Sequence, residues 1–190
     1  MIVKNDEQLI KACANGNEEA FDLLFKKYAR PLTFFINQML YDQNRSEDIF
    51  QDTFIKVLEN ADKFNDRYKF STWVYRIAIN LCINELRKRR REQSKMVNNS
   101  PYNPDFDNFN FIESFSHDDT PFEILQKKDR TDRINEAMKS LPQSKRIAFI
   151  LKFYHFLSYE EIASIMECSI GTVKSRIHYA VGKIQVLVKE

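Results

Sequence analysis

The sequence predicts an all-α protein: two small helical domains joined by a flexible linker. Three observations lead there. Hydrophobic residues make up 43 % of the 190-residue chain and aromatics 13 %, enough for real cores and too many for a disordered chain. Glycine is scarce, occurring only at Gly16, Gly171 and Gly182. Tight hairpins and Gly-rich phosphate loops both need it, which disfavours a β-barrel, a P-loop and a dinucleotide-binding fingerprint. Apolar residues recur at helical spacing on both sides of one stretch, 93–120, where periodicity is lost.

The elements follow in order. Asp6 can cap a short helix over 7–14. Asn17 precedes Glu18 and Glu19, an N-cap with acids in the first turn. Phe21, Leu24, Phe25 and Tyr28 then keep helical spacing. Pro31 can start or kink the next helix, and Leu32, Phe35, Ile36 and Met39 continue the stripe. Ser46 suits the N-cap of a helix whose buried positions are Ile49, Phe50, Thr53, Phe54, Val57 and Leu58, with Asp48, Gln51, Asp52 and Lys56 mainly on another face. An irregular stretch, 60–70, leads to a long helix capped by Ser71 or Thr72 and ending near Arg91. Segment 93–120 holds Pro101, Pro104 and frequent Asn, and reads as the linker. Helices over about 122–140, 143–154, 158–166 and 170–188 complete the chain. The domains are thus 1–92 and 121–190.

Cys13, Cys82 and Cys168 lie far apart and form no Cys-x-x-Cys or Cys/His cluster. That leaves no metal-site spacing, and an odd, dispersed count suits a reducing cytosol. The N-terminal MIVKNDEQLI lacks the apolar core of a signal peptide, and no run approaches a membrane span. The expectation is a cytoplasmic protein, not itself membrane-inserted, with no cofactor and no metal. No Ser/His/Asp arrangement or paired-carboxylate motif in a plausible cleft points to an enzyme.

The net charge of +2 hides strong asymmetry. Residues 1–66 carry 8 basic and 12 acidic side chains, residues 67–95 carry 9 and 2, residues 96–120 carry none and 5, and residues 121–190 carry 12 and 8. The basic blocks suit nucleic-acid contact, or else are solvated helix faces.

The C-terminal part of the chain contains a helix-turn-helix pattern. Ser158 and Glu161 form a capping box. Ile162, Ala163, Ile165 and Met166 make an inner face, and Glu167-Cys168-Ser169 makes the turn. Val173, Ile177, Ala180, Val181 and Ile184 make the buried stripe of the second helix. Thr172, Lys174, Ser175, Arg176, His178, Tyr179 and Lys183 are left largely outside it. They can donate to phosphates and base edges, as a helix in the major groove requires.

A second signal is the run FNDRYKFSTWVY over 64–75, which interleaves Phe64, Tyr68, Phe70, Trp73 and Tyr75 with Arg67, Lys69 and, just beyond, Arg76. Aromatic faces beside cations suit unstacked bases and a single-stranded backbone. Trp73 and Phe70 are also readable as ordinary core residues, for Trp73 equally well. Asn80 and Asn84, one turn apart, precede the basic run 87–91, which is also readable as a solvated helix end.

Together these motifs resemble one family. Residues 48–54, DIFQDTF, then 61–64, ADKF, then 68–73, YKFSTW, are similar to the second conserved region of bacterial sigma factors. Residues 141–181 are similar to the fourth region, most recognisably over 170–176, IGTVKSR. The absence of a third region between them resembles the extracytoplasmic-function subgroup. The resemblance implies a non-catalytic factor that binds core RNA polymerase and promoter DNA. Asp48, Gln51 and Asp52 would bind the clamp helices of the largest polymerase subunit, and the C-terminal unit would meet the flap region. Phe64, Lys69, Phe70, Ser71, Thr72, Trp73, Arg76, Asn80 and Asn84 would capture melted −10 bases, with Arg87 and Lys88 on nearby phosphates. Thr172, Lys174, Ser175, Arg176, His178 and Tyr179 would serve the −35 element, with Arg176 on the backbone. The family often carries a basic residue where Tyr179 stands. An anti-sigma factor is an implied partner. The acidic, Phe-containing linker is then either a mimic of nucleic acid in a basic polymerase channel or a plain tether. A helix-turn-helix regulator acting without polymerase would leave the motifs of 48–76 unexplained. A sigma mimic would have little need of Lys174, Arg176 or the basic block.

Overall fold

The computed structural model describes residues 5–96 and 133–189, and among these all regular structure is helical. The chain divides into two compact units.

In the first unit, α1 spans Asp6–Ala14. Its N-cap is Asn5, not Asp6. The Asn5 carboxamide oxygen accepts from the Gln8 amide at 2.8 Å, and the Gln8 side chain accepts from the Asn5 amide at 3.2 Å, closing a capping box. Asp6, one position inside, is committed elsewhere: Lys27 and the Tyr28 hydroxyl each donate to it at 2.7 Å. That contact ties α1 to α2, which spans Glu18–Leu40 and is capped by Asn17 as expected.

Pro31 neither starts nor ends a helix, since α2 runs through it. A proline removes one amide donor, but the buried stripe Leu24, Tyr28, Leu32, Phe35, Ile36 and Met39 continues unbroken across it. Burial of that stripe outweighs one lost helical bond. Tyr41 ends the helix in the left-handed region at φ 52°.

Helix α3 spans Gln43–Glu59 and is capped by Asp42, whose carboxylate accepts from the Arg45 amide at 3.0 Å. Ser46, expected to cap, is buried and donates to the Asp42 carbonyl at 2.6 Å. Ile49, Phe50, Thr53, Phe54 and Val57 are buried as expected, but Leu58 is 45 % exposed. At about 100° per residue it falls roughly 110° from the centre of that stripe. A short 3₁₀ turn, Ala61–Lys63, precedes α4, Phe70–Met96. Neither Ser71 nor Thr72 caps α4. The Phe70 amide donates to the Glu7 carboxylate of α1 at 2.9 Å, and Thr72 is buried within the first turn. The helix also runs past Arg91. Phe35, Phe54 and Phe70 are fully buried at the centre of this unit.

In the second unit, helical residues 133–139 form the described part of α5. Helices α6, Gln143–Phe153, α7, Tyr159–Ile165, and α8, Ile170–Lys189, follow. Leu141 is buried beside the break at Pro142, and Met138, Ile150, Leu151, Ile162, Val173 and Ala180 are fully buried. The expected capping box of α7 is present: the Glu161 amide donates to Ser158 Oγ at 3.1 Å, and the Ser158 amide donates to the Glu161 carboxylate at 2.9 Å. Glu167, at φ 50°, makes the turn. Ser169 Oγ then accepts from the Thr172 amide at 3.1 Å and caps α8.

Candidate nucleic-acid and polymerase interfaces

On α3, Asp48, Gln51 and Asp52 are exposed on the face away from the core. Ile55 lies between them in projection and is 52 % exposed, with Leu58 at the edge. The sequence reading missed Ile55. Its signal was an apolar residue outside the buried stripe of an otherwise amphipathic helix. This face combines carboxylates with an apolar centre, the mixture found in protein–protein interfaces.

Asp48 also anchors an ionic cluster. Arg45 bridges Asp48 at 3.1 Å and Glu85 of α4 at 3.0 Å, and Arg89 bridges Glu85 at 3.1 Å and Asp42 at 2.7 Å. The Arg45 amide and then the Arg89 guanidinium hold the Asp42 carboxyl below its usual range, and hydrogen bonds from Arg45 and Arg89 do the same for Glu85. The basic run of α4 is therefore not uniform. Arg89 turns inward, while Arg87 and Lys88 are exposed one turn beyond exposed Asn84 and two beyond exposed Asn80.

The aromatic run divides in the same way. Phe70 is fully buried against Tyr28, with ring centroids 5.3 Å apart, and Thr72 is buried too. The expectation that these two side chains face bases is corrected: they build the floor of the loop. Tyr75 is also core, packed on Phe35 at 5.3 Å. Phe64 and Trp73 pack in a tilted pair with centroids 5.3 Å apart, each also touching Phe70, and are half-buried. Ser71 and Arg76 are half-buried, and Lys69 is exposed. Tyr68 is 56 % exposed beside an open cleft of about 560 Å³ between the loop and α1, lined also by Gln8, Lys11, Asp66 and Lys69.

In the second unit, Lys174, Ser175, His178 and Tyr179 share the exposed side of α8, while Thr172 and Arg176 are half-buried at its margin. Thr172 Oγ1 lies 2.9 Å from Ser169 Oγ, and an Arg176 guanidinium N–H donates to Cys168 Sγ at 3.5 Å. Three cation–π contacts on two tyrosine rings flank this face. Lys145 Nζ lies 3.5 Å from the centroid of the Tyr179 ring, and the Tyr159 ring has Lys152 Nζ at 4.7 Å and Lys174 Nζ at 5.6 Å. The α6 lysines are contributors that the sequence reading did not pick out.

A helix-turn-helix with a basic outer face, in one chain with an aromatic and basic loop, matches two family models. The sigma-70 region 2 model matches residues 24–92, and the sigma-70 region 4 model matches residues 131–184. The chain belongs to the sigma-70 family. It is 32 % identical over 179 residues to the RNA polymerase sigma-H factor of Pseudomonas aeruginosa, spanning 93 % of this chain and 90 % of that protein. It is 31 % identical to the ECF RNA polymerase sigma-E factor of Salmonella typhimurium over 188 residues, 97 % of this chain and 96 % of that one. These relatives place it among the ECF sigma factors. A solved structure of the sigma factor RpoE with the anti-sigma factor NepR from Bartonella quintana shares the fold, with TM-score 0.67 at 24 % identity over 90 % of this chain and 96 % of that one. Sigma factors as a family are not enzymes. In this sigma factor, no helix among the described residues is long and apolar enough to cross a membrane.

Proposed function

We propose that this sigma factor binds core RNA polymerase, docks duplex −35 DNA through α8 and captures melted −10 bases through the loop before α4. The observation that carries the reading is the exposed row Lys174, Ser175, His178 and Tyr179 on a capped second helix, in a chain that also matches region 2. Asp48, Gln51 and Asp52, with Ile55 among them, meet the polymerase clamp helices. Phe64, Lys69, Ser71, Trp73, Arg76, Asn80 and Asn84 meet −10 bases over a floor of Phe70 and Thr72. Arg87 and Lys88 meet phosphates. Binding of open bases by stacking, about 1–3 kcal/mol per base, offsets their unstacking.

The functional divisions are 1–92 for core and −10 binding, 93–120 for the linker and 121–190 for −35 binding. Segments 97–132 and 190 lie outside the described residues, and with them most of the linker. The factor acts without a cofactor, catalyses no reaction itself and works in the cytoplasm. The Bartonella quintana relative of known structure is bound by an anti-sigma factor, and a comparable inhibitor is the partner expected here.

Transcription with purified core polymerase, this protein and fragmented host DNA tests the proposal by mapping RNA 5′ ends. Discrete starts that need the protein and share two upstream elements are expected. Tight DNA binding by the protein alone, without protein-dependent starts, would replace this reading with that of an ordinary regulator.

A further inference from the structure

Along the outer side of α8 the cationic side chains among the described residues are Lys174, Arg176 and Lys183, and between them the exposed position 179 is a neutral tyrosine. That position is not without charge. Lys145 Nζ sits 3.5 Å from the centre of the Tyr179 ring, and Tyr179 remains 45 % exposed.

Apart from the Tyr179 ring itself, the first turn of α6 offers this lysine no favourable partner. Lys145 lies in the first turn of α6, which contains no acidic residue. A cation at that end opposes the helix dipole. Among the described residues, no carboxylate forms an ion pair with Lys145. Its neighbour on the same face, Lys152, seven residues on, has a structural use, donating to the Leu157 carbonyl at 3.2 Å. The ring occupies one side of the Lys145 ammonium, which has three donors to place. A lysine is a compact point charge without the planar fork that reads base edges, and it comes from a helix beside the one that carries the base-facing row.

We propose that Lys145 contacts a DNA backbone phosphate flanking the −35 element, and that Tyr179 is its positioning residue, holding the ammonium against α8 by its ring face. The −35 surface is then built from two helices, and Tyr179 contributes by placing a charge. This rests on the reading that α8 docks on duplex DNA.

The test uses holoenzyme assembled from core polymerase and the full chain, binding promoter fragments across a salt series. Lys145→Ala should make the log–log salt slope shallower by about 0.9, so that the wild-type advantage shrinks about 3.5-fold between roughly 50 and 200 mM salt. The loss should be uniform across −35 sequences that differ at one base. Tyr179→Leu should show the same shallower slope, Tyr179→Phe and Lys145→Arg should restore it, and the double variant should be no shallower than either single one. A misfolded helix would not be rescued in this pattern. An unchanged slope in Lys145→Ala overturns the proposal, as does a changed base preference at constant slope. Should wild-type holoenzyme bind scrambled −35 fragments equally well, docking of α8 itself fails and the proposal falls with it.

Discussion

Glu85 shows how much one carboxylate can organise. It is 10 % exposed and receives Arg45 from α3 and Arg89 from its own helix. Of the basic run it holds Arg89 inward. Glu85→Gln keeps the shape and removes the charge. It should cost about 1.5–3 kcal/mol of stability near neutral pH, as for other hydrogen bonds to charged groups. Both Glu85 and Asp42 titrate lower when folded than their ordinary values of 4.5 and 3.8. The unfolded chain therefore binds more protons in that range, and the stabilisation is complete above it and lost as pH falls through the depressed values. Denaturant unfolding at about pH 7 and about pH 3 should show a larger difference between wild type and Glu85→Gln at the first than at the second. Lys174 lies at the opposite extreme, exposed on α8. Lys174→Ala should lose about 1–3 kcal/mol of discrimination among −35 sequences while core binding is kept. Co-elution with core polymerase and promoter competition separate the two readouts.

At the scale of elements, short helices depend on their ends. Helix α7, Tyr159–Ile165, is far too short to be stable alone. Its reciprocal cap, Ser158 with Glu161, and its buried Ile162 and Ile165 hold it. Ser158→Ala should cost about 0.5–2 kcal/mol, visible as a lower thermal midpoint. Because α7 precedes the turn that sets α8, −35 affinity should weaken in the same variant while polymerase binding through α3 persists. Helix α4 obeys the same rule by another route, since its first amide is capped by Glu7, 63 residues away in the chain. Capping by proximity in space explains why neither Ser71 nor Thr72 is needed at that end.

For the whole molecule, the charge blocks along the chain coincide with the segments proposed for separate tasks. The acidic N-terminal block includes the α3 face proposed for polymerase, the basic block 67–95 covers most of the loop proposed for −10 bases and of α4, and the moderately basic C-terminal block carries α8. Between them, residues 96–120 hold five acids and no lysine or arginine. If that segment mimics nucleic acid in a basic polymerase channel, deletion of 98–112 should reduce initiation in run-off transcription far more than it reduces core binding. Equal loss of both would show that it serves as a tether alone.

The helical class, the helix-turn-helix with its cap at Ser158 and the inward stripe of α8 were legible from the sequence alone. So was the resemblance to sigma factors. All of these depend on local chemistry: a hydroxyl ahead of an acid three residues on, apolar residues at a period of 3.6, and motifs in order. What the tertiary structure decided were questions about neighbours distant in sequence. Packing kept α2 continuous through Pro31 and buried Phe70 against Tyr28. Glu7 displaced Ser71 and Thr72 as the cap of α4, Glu85 drew Arg89 out of the basic run, and Lys145 supplied the charge over Tyr179. A side chain's exposure and partners are set by everything that folds against it, and that sum is not written in the few residues on either side.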